Sequence, residues 1–169
     1  MLEISLVIQK NGVEPRSEQL SALTQKMWSR LSQYDTWYWT DFQQIAVILY
    51  FFPADAVSDL TEQILKSLVK YQHYRPTKPV EFGLLINLST IYLYQQENRT
   101  ICQALTLSAL EIAQKLKRYD YLGFAQVRLG ICQKDEAFIE KGMALLQLTD
   151  ETSLVESLTE EIKKYKANK

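Results

Sequence analysis

The stretch TDFQQIAVILYFFPADAVSDL, residues 40–60, contains the strongest apolar run of this chain, Ile45 to Phe52. The run has eight residues, whereas a helix that spans a bilayer needs about 20 apolar residues. We therefore interpret the run as a packed core helix and expect no membrane contact. Pro53 lacks a backbone N–H and its ring does not fit inside a continuing helix, so this helix ends before Pro53 and an amphipathic helix follows it.

The composition of the chain restricts its class. With 169 residues, of which 47% are hydrophobic and 23% charged, the chain is predicted to form a single globular domain over residues 1–169. Its 5 Gly and 4 Pro are few for a fold with many tight turns, which favours an all-α fold over a β-sandwich or barrel. The net charge of -1 disfavours a broad basic surface for nucleic acid. The N-terminus lacks the pattern of a signal peptide, so we expect a cytoplasmic protein.

Apolar residues recur at three- and four-residue spacing along the chain, which is typical of amphipathic helices. The segment of residues 80–97 is apolar around most of its circumference, so we expect it to be covered on both sides. The last segment carries Glu160 and Glu161 among lysines, and we expect both carboxylates on its solvent face. The pattern predicts about eight helices, over residues 17–33, 35–53, 55–71, 80–97, 101–118, 121–134, 137–148 and 153–166.

A weak internal repeat relates two of the predicted helix pairs. A shift of 38 positions aligns Leu93 with Ile131, and each aligned segment is predicted to form a helix, a short turn and a second helix. Gly130 and Gly142 resemble the small residues that allow a close helix crossing in tetratricopeptide repeats. The repeat favours an antiparallel helix-pair array, a tetratricopeptide-like right-handed solenoid, over a compact four-helix bundle.

The chain has little that is typical of catalysis. Its only histidine, His73, lies in the proline-containing stretch HYRPTKP, and the sequence has no Cys-X-X-Cys pair and no glycine-rich phosphate loop. We interpret His73 as a surface residue and predict no catalytic residue, no metal site, no cofactor and no enzymatic activity. Cys102 and Cys132 both lie in apolar helical segments, which favours reduced, packed thiols over a disulfide.

Asn87 is a polar residue within the apolar segment LLINLSTIYLY, residues 84–94. If its amide is buried, its hydrogen-bonding groups need partners, because an unpaired buried polar group costs about 1 to 3 kcal/mol. The partner is either a neighbouring backbone carbonyl of the fold or the main chain of a bound extended peptide. Helical steps from Asn87 along the same face lead to Thr90 and Tyr94, which we therefore include in the candidate ligand-binding face.

The 38-residue shift maps Thr90 onto Arg128, which also lies in an apolar stretch. An arginine in that position either binds a carboxylate of a ligand, such as the C-terminus of a peptide, or pairs with an acidic neighbour in the fold. Tyr121 and Phe124 are candidates for the apolar walls of the same site, although aromatic residues at helical spacing are more often part of a core. The predicted ligand-binding residues are thus Asn87, Thr90, Tyr94, Tyr121, Phe124 and Arg128.

The stretch LSQYDTWYWTDFQQIAVILYFFPADAVSDLTEQIL, residues 31–65, resembles the regulatory domain of Rgg/GadR/MutR-type transcriptional regulators of Gram-positive bacteria. The shared features are a Trp followed by further aromatic residues at the start of a helix, then an apolar helix and a Leu-rich amphipathic helix. The resemblance continues through residues 84–94 to the last helix. At Gly83 and Leu84 the chain departs from a family pattern that often has arginine.

The resemblance implies a tetratricopeptide-like array that binds a short hydrophobic peptide on its concave face and contributes to a homodimer. It also implies that DNA is contacted only by an N-terminal helix-turn-helix domain, which we expect to be missing from residues 1–169. We therefore predict a signal-peptide-sensing and dimerisation domain with a role in transcription regulation and quorum sensing. The alternative is a stand-alone helical-repeat adaptor that binds a partner protein.

Overall fold

The computed structural model describes residues 18–34, 37–52, 56–94 and 98–167. Every regular element within these ranges is helical, and the eight α-helices confirm the predicted all-α class. Short 3-10 helices lie at Leu49–Phe51, Val69–Tyr71 and Arg75–Thr77. The α-helices are α1 (Glu18–Leu31), α2 (Trp39–Ile48), α3 (Ala56–Leu68), α4 (Lys78–Tyr94), α5 (Arg99–Leu116), α6 (Tyr119–Gln133), α7 (Glu136–Leu148) and α8 (Thr152–Ala167).

The chain folds as two compact units, residues 1–88 and residues 89–169. The division falls inside α4, so that the first unit holds α1 to α3 with most of α4, and the second holds the end of α4 with α5 to α8. We call them unit 1 and unit 2. Buried apolar side chains occur in the described part of both units.

Aromatic side chains near the start of α2 organise the core of unit 1. Trp37 is 1% exposed, and its indole N–H donates a hydrogen bond to the Leu31 carbonyl oxygen at 2.8 Å. Its ring lies edge-on to those of Trp28 and Phe42, with centroid distances of 6.3 and 6.2 Å. Edge-to-face pairs of this kind add about 0.5 to 1.5 kcal/mol beyond the burial of their surface. The cluster therefore joins the C-terminal end of α1 to the start of α2.

Most side chains of the apolar run that follows are buried, as predicted, and Phe51 is half-buried. Ile45, Leu49 and Phe52 are each at most 2% exposed. Helix α2 passes into the 3-10 turn Leu49–Phe51, which brings the run to its end. The predicted helix start near residue 35 and the predicted stop at Pro53 lie outside the described residues. In the described part of the chain, no helix is both long enough and apolar enough to cross a membrane.

Helix α3 is amphipathic, as its sequence predicts. Val57, Leu60 and Ile64 have no exposed surface, whereas Asp59 and Glu62 are exposed to solvent. Full burial of an aliphatic side chain contributes about 1.5 to 3 kcal/mol. The apolar face of α3 is therefore a main source of stability for unit 1.

Unit 2 is built around α6, which contacts α5, α7 and α8. Every residue from Gly123 to Cys132 is buried. Helices α6 and α7 approach so closely that a Cβ atom added to Gly142 would lie 2.6 Å from the Gly123 carbonyl oxygen, and one added to Gly130 would lie 2.6 Å from Ile139. A close-packed interior has no room for such an atom. The close crossing predicted from Gly130 and Gly142 is thus confirmed, and Gly123 takes part in it.

The helix bounds agree with the 38-residue repeat. Helix α4 ends at Tyr94 and α5 begins at Arg99, while α6 ends at Gln133 and α7 begins at Glu136. Adding 38 to 94 and to 99 gives 132 and 137, each within one residue of the observed bound. Two helix–turn–helix segments therefore follow one another along the chain, while the solenoid arrangement stays a prediction.

Helices α5 and α6 each end at a lysine in the left-handed backbone region. Lys117 has a φ of 55° and Lys134 a φ of 61°, and both backbone N–H groups donate to carbonyl oxygens of the preceding turn. The left-handed conformation satisfies the last carbonyls of a helix. For a residue with a Cβ atom it costs roughly 1 to 2 kcal/mol. These two reversals lead directly into α6 and α7.

Cys102 on α5 and Cys132 on α6 form a disulfide, with a Cα–Cα distance of 6.4 Å. The prediction of two reduced thiols is therefore wrong. Both side chains are buried, as predicted, but the packing of α5 on α6 places them opposite each other at a separation that allows a bond. The local apolar pattern, on which the prediction depended, does not show which helices pack against each other.

Replacing Gly142 by alanine is expected to lower the free energy of unfolding by about 1 to 3 kcal/mol, because the added methyl group forces α6 and α7 apart. At an open helical site the same change stabilises a protein by about 0.5 to 1 kcal/mol, so the sign is diagnostic. Urea denaturation measures the effect. The control is Ala144→Gly at an exposed position of α7, which is expected to cost about 1 kcal/mol through helix propensity alone. A Gly142→Ala protein as stable as the parent would contradict the close crossing.

Reduction of the disulfide is expected to lower the free energy of unfolding by about 3 to 4 kcal/mol, because the bond closes a loop over a sequence separation of 30 residues and restricts the unfolded chain. Urea denaturation with and without dithiothreitol measures the difference. The double variant Cys102→Ser, Cys132→Ser is the control, and the reductant should not affect it. Two free thiols in the unreduced protein, counted by thiol titration in denaturant, would contradict the bond.

Candidate functional site

A buried ion pair joins α6 to α8 in unit 2. The Arg128 Nη2 atom donates to the Glu161 Oε2 atom at 3.0 Å, and the two side chains are 0% and 5% exposed. Arg128 lies within the buried stretch of α6, one helical turn after Phe124. Buried charged side chains are stable only when they are paired. The pairing of Arg128 with an acidic neighbour, one of its two predicted alternatives, is present in the structure.

Two aromatic rings flank the guanidinium group of Arg128. Its Cζ atom lies 5.7 Å from the ring centroid of Tyr94, the last residue of α4, and 5.7 Å from that of Phe124. A cation over an aromatic face is attracted by the ring quadrupole, by about 2 kcal/mol when the pair is desolvated. The structure thus brings together three of the predicted site residues, Tyr94, Phe124 and Arg128.

Glu161 belongs to the same cluster. Its Oε1 atom accepts a hydrogen bond from the Tyr94 hydroxyl at 2.6 Å, while Oε2 pairs with Arg128. The prediction that Glu161 lies on the solvent face is wrong, since the residue is 6% exposed. The sequence does contain the signal, because the buried stripe of α8 repeats at three- and four-residue spacing through Leu154, Leu158, Glu161 and Tyr165.

Tyr94 is the member of the cluster that reaches solvent. Burial of its hydroxyl end raises the pKa of Tyr94 far above its usual range, and the neighbouring Glu161 carboxylate raises that pKa further. The hydroxyl therefore keeps its proton at physiological pH and remains a donor to Glu161. The residue as a whole is 44% exposed, so part of its ring lies between solvent and Arg128. A ligand approaching the cluster from solvent would meet Tyr94 first.

Arg128 has hydrogen-bonding capacity that the fold leaves unused. Its Nε and Nη1 atoms are buried, and neither has an acceptor among the residues that the structure describes. A buried donor without an acceptor costs about 1 to 3 kcal/mol, and more when the group is charged. An anionic acceptor would recover this free energy through charge-assisted hydrogen bonds. The donor set of the cluster therefore suits an anion.

A second arginine adds positive charge close to the cluster. Arg99, at the start of α5, donates from Nη1 to the Ile131 carbonyl oxygen at 2.9 Å, and its guanidinium lies 5.9 Å from the ring centroid of Tyr165. Unlike Arg128, it is exposed. The charges of both arginines act on the Tyr94 hydroxyl and stabilise its ionised form. The guanidinium groups of Arg99 and Arg128 thus both lie near Tyr94, and positively charged groups of this kind attract anions.

Thr90 and Tyr121 have other surroundings. Thr90 is buried in α4, one helical turn before Tyr94. Tyr121 is half-buried in the first turn of α6, where the Arg118 guanidinium lies 4.3 Å from its ring centroid. Burial raises the pKa of the Tyr121 hydroxyl. The predicted contacts of Thr90 and Tyr121 with a ligand stay predictions.

Asn87 lies in unit 1, in a buried part of α4. Its Oδ1 atom accepts a hydrogen bond from the Tyr50 hydroxyl at 3.2 Å, and its Nδ2 atom donates to the Ala46 carbonyl oxygen at 3.3 Å. The predicted bond to a backbone carbonyl of the fold is therefore present. Tyr50, the second partner, gives no local signal in the sequence, because this contact joins residues 37 positions apart. Contact of Asn87 with a bound peptide stays a prediction.

Unit 1 also contains an open groove of about 440 Å³ between α1 and α2. It does not involve any predicted site residue, since its lining is Met27, Thr40, Gln43, Gln44 and Ile48. His73 is exposed, as predicted. Within the described ranges, no three His, Cys, Asp or Glu side chains are grouped so that they could hold a metal ion.

Comparisons with protein-family models, with curated proteins and with solved structures each found no match to this chain. Its functional interpretation therefore depends on its own residues and their geometry.

Replacing Asn87 by alanine is expected to lower the free energy of unfolding by about 1 to 3 kcal/mol, because the Tyr50 hydroxyl and the Ala46 carbonyl lose a partner in a buried place. Tyr50→Phe removes one of the same hydrogen bonds from the other side, at an expected cost of about 1 kcal/mol. The double variant should lose less than the sum of the two, since the residues act as a pair. Urea denaturation of the four proteins measures this coupling, and strictly additive losses would contradict the hydrogen bond.

Proposed function

We propose that residues 1–169 form the signal-sensing and dimerisation module of a bacterial transcriptional regulator similar to the Rgg/MutR type, and that the signal is a short hydrophobic peptide. Support comes from the all-helical fold with its repeated helix pairs and from the resemblance of residues 31–65 and 84–94 to that family. In that family a separate helix-turn-helix domain binds DNA and the sensing module pairs with a second copy. We propose the same division of roles for this chain.

The observation that carries the proposal is the Arg128 cluster in unit 2. A fully buried guanidinium lies beside two aromatic rings and has two nitrogen atoms without a described acceptor. A purely structural arginine would gain nothing from those unused donors, because each of them is costly to bury. A ligand with an anionic group would use them. The cluster therefore supports a binding role for Arg128 in addition to its pairing with Glu161.

The C-terminus of a hydrophobic peptide has the chemistry that this cluster would recognise. Its carboxylate accepts charge-assisted hydrogen bonds from an arginine, and the side chain that precedes it is apolar. Burial of a carboxylate is unfavourable unless a cation is already in place, which Arg128 provides. The rings of Tyr94 and Phe124 would contact the apolar side chain. A peptide lacking the free carboxylate would lose the charged contact and keep only the apolar one.

The ligand would enter past Tyr94, which separates the guanidinium from solvent on one side. Rotation of an exposed aromatic side chain is fast compared with peptide binding. Arg99, which is exposed, would attract the anionic end of the peptide toward this entrance. Each step of this proposal uses residues of unit 2.

Isothermal calorimetry with a library of short hydrophobic peptides tests the proposal, with every peptide prepared both as the free acid and as the C-terminal amide. We expect binding of acid forms and at least about tenfold weaker binding of the matching amides, because a charge-assisted hydrogen bond contributes about 1.5 to 3 kcal/mol. Arg128→Lys keeps the positive charge beside Glu161 but loses the planar donor set. Arg128→Lys is therefore also expected to weaken binding of the acid forms by at least about tenfold.

The matched control is Arg75→Lys, the same change at an exposed arginine of unit 1, which should leave binding unchanged. Equal binding of acids and amides, or equal binding by the parent and Arg128→Lys, would remove Arg128 from the site. Failure of the whole library to bind would contradict peptide sensing and favour the adaptor alternative.

A further inference from the structure

The Glu161 carboxylate pairs with the same guanidinium group that the proposed ligand would contact. It has the same chemistry as a peptide C-terminus, and it contacts the guanidinium Nη2 atom directly. Two carboxylates at one buried arginine repel each other, because the single positive charge cannot balance both. Binding of a ligand carboxylate at Arg128 therefore acts on Glu161.

We propose that Glu161 is an internal carboxylate that the ligand's carboxylate displaces from Arg128, and that this displacement releases α8 from α6. The inference rests on the proposed function, since it concerns regulation of the same site. We call the contact between Glu161 and Arg128 the latch. In the free protein the latch is closed, and in the liganded protein the peptide C-terminus takes the place of Glu161.

The charge balance of the cluster favours such an exchange. One carboxylate replaces another, so the guanidinium keeps one anionic partner in both states and no buried charge is left unpaired. Glu161 itself returns to solvent, where a carboxylate is well hydrated.

The geometry of the latch also favours the ligand. Glu161 donates nothing and accepts one hydrogen bond from Arg128, at Nη2, while Nε and Nη1 have no described acceptor. The Glu161 carboxylate is tied to the backbone of α8 and cannot turn freely. A ligand carboxylate has no such restraint and can contact two nitrogen atoms of a guanidinium at once, as arginine–carboxylate pairs frequently do. The ligand thus competes with a carboxylate that contacts only one nitrogen atom of the guanidinium.

Helix α8 is less firmly attached than the other helices of unit 2. Helices α5 and α6 are joined by the disulfide, and α6 and α7 approach within backbone contact at their glycines. The described contacts of helix α8 include its apolar stripe, the latch, the hydrogen bond from Tyr94 to Glu161 and the contact of Arg99 with Tyr165. An exposed pair also joins Lys166 to Glu136 at 2.9 Å. An exposed ion pair contributes little. Opening of the latch is therefore expected to move α8 and to leave α5, α6 and α7 in place. The ligand would thus shift the population from a state with α8 attached to α6 toward a state with α8 released.

Hydrogen–deuterium exchange of the backbone amides of α8, measured on the full chain, tests the inference. Glu161→Gln removes the competing anion, so we expect roughly tenfold faster exchange in α8 without ligand and roughly tenfold tighter binding of acid-form hydrophobic peptides. The matched control is Glu160→Gln, the same change at the adjacent exposed residue that pairs with Lys163. It is expected to alter neither exchange nor affinity.

A second variant, Glu161→Asp, keeps the negative charge near Arg128 but shortens its reach by one methylene group. Because Glu161→Asp leaves no buried guanidinium unpaired, this variant tests the latch even if Glu161→Gln does not fold. Faster exchange of α8 and tighter binding of the acid-form peptides are expected here too, with a smaller change of about threefold. Unchanged exchange and unchanged affinity in Glu161→Asp would overturn the latch.

The parent protein gives the last measurement. An acid-form peptide is expected to speed exchange in α8 by roughly tenfold, while α5, α6 and α7 keep their rates, and the amide form is expected to have no such effect. Peptide binding without any change in α8 would overturn the latch and leave peptide sensing intact. Binding by the Glu161 variants but not by the parent would show that the ligand does not displace Glu161, and would overturn the latch. Absence of binding by the parent and by both variants would overturn the proposed function together with the latch.

Discussion

Burial of residues 123–132 of α6 on every side is the constraint on which unit 2 depends. A helix covered all round needs partners of three different kinds here: glycines where α7 crosses it, a cysteine where α5 lies against it, and a counter-ion for the arginine that it carries. The crossing uses Gly123 and Gly130 of α6 together with Gly142 of α7, while the disulfide and the ion pair use Cys102 of α5 and Glu161 of α8. The interior of unit 2 is therefore specified by contacts that α6 makes, and Arg128 is held in a geometry that a loop residue would not have.

The helices of this chain could be predicted because their signals are local. Apolar residues at three- and four-residue spacing define α3 and α8, and glycine at Gly130 and Gly142 anticipates a close crossing. The run from Ile45 to Phe52 is too short to span a membrane. Its apolar side chains are therefore expected to be buried in the core of the protein. Periodicity therefore accounts for the elements and for much of their buried surface.

The pairs that close the structure could not be predicted in the same way. Cys102 with Cys132, Tyr50 with Asn87 and Arg128 with Glu161 each join residues 30 or more positions apart, and only the packing of whole helices brings them together. Arg128 and Asn87 were recognised because a polar side chain in an apolar helix needs a partner. Their partners were not, although the position of Glu161 in the apolar stripe of α8 was a readable signal. The sequence thus shows that Arg128 and Asn87 need partners, but it does not show which residues these partners are.

The two lysines that end α5 and α6 have a consequence for the overall stability of the fold. Lys117 and Lys134 adopt a backbone conformation that suits glycine or asparagine better. Both side chains are exposed, so their replacement by glycine would disturb no packing. Natural proteins are rarely at their optimum of stability, because they need only enough stability to function. Substitutions at these two surface positions could therefore increase the stability of the protein without changing the interior of either unit.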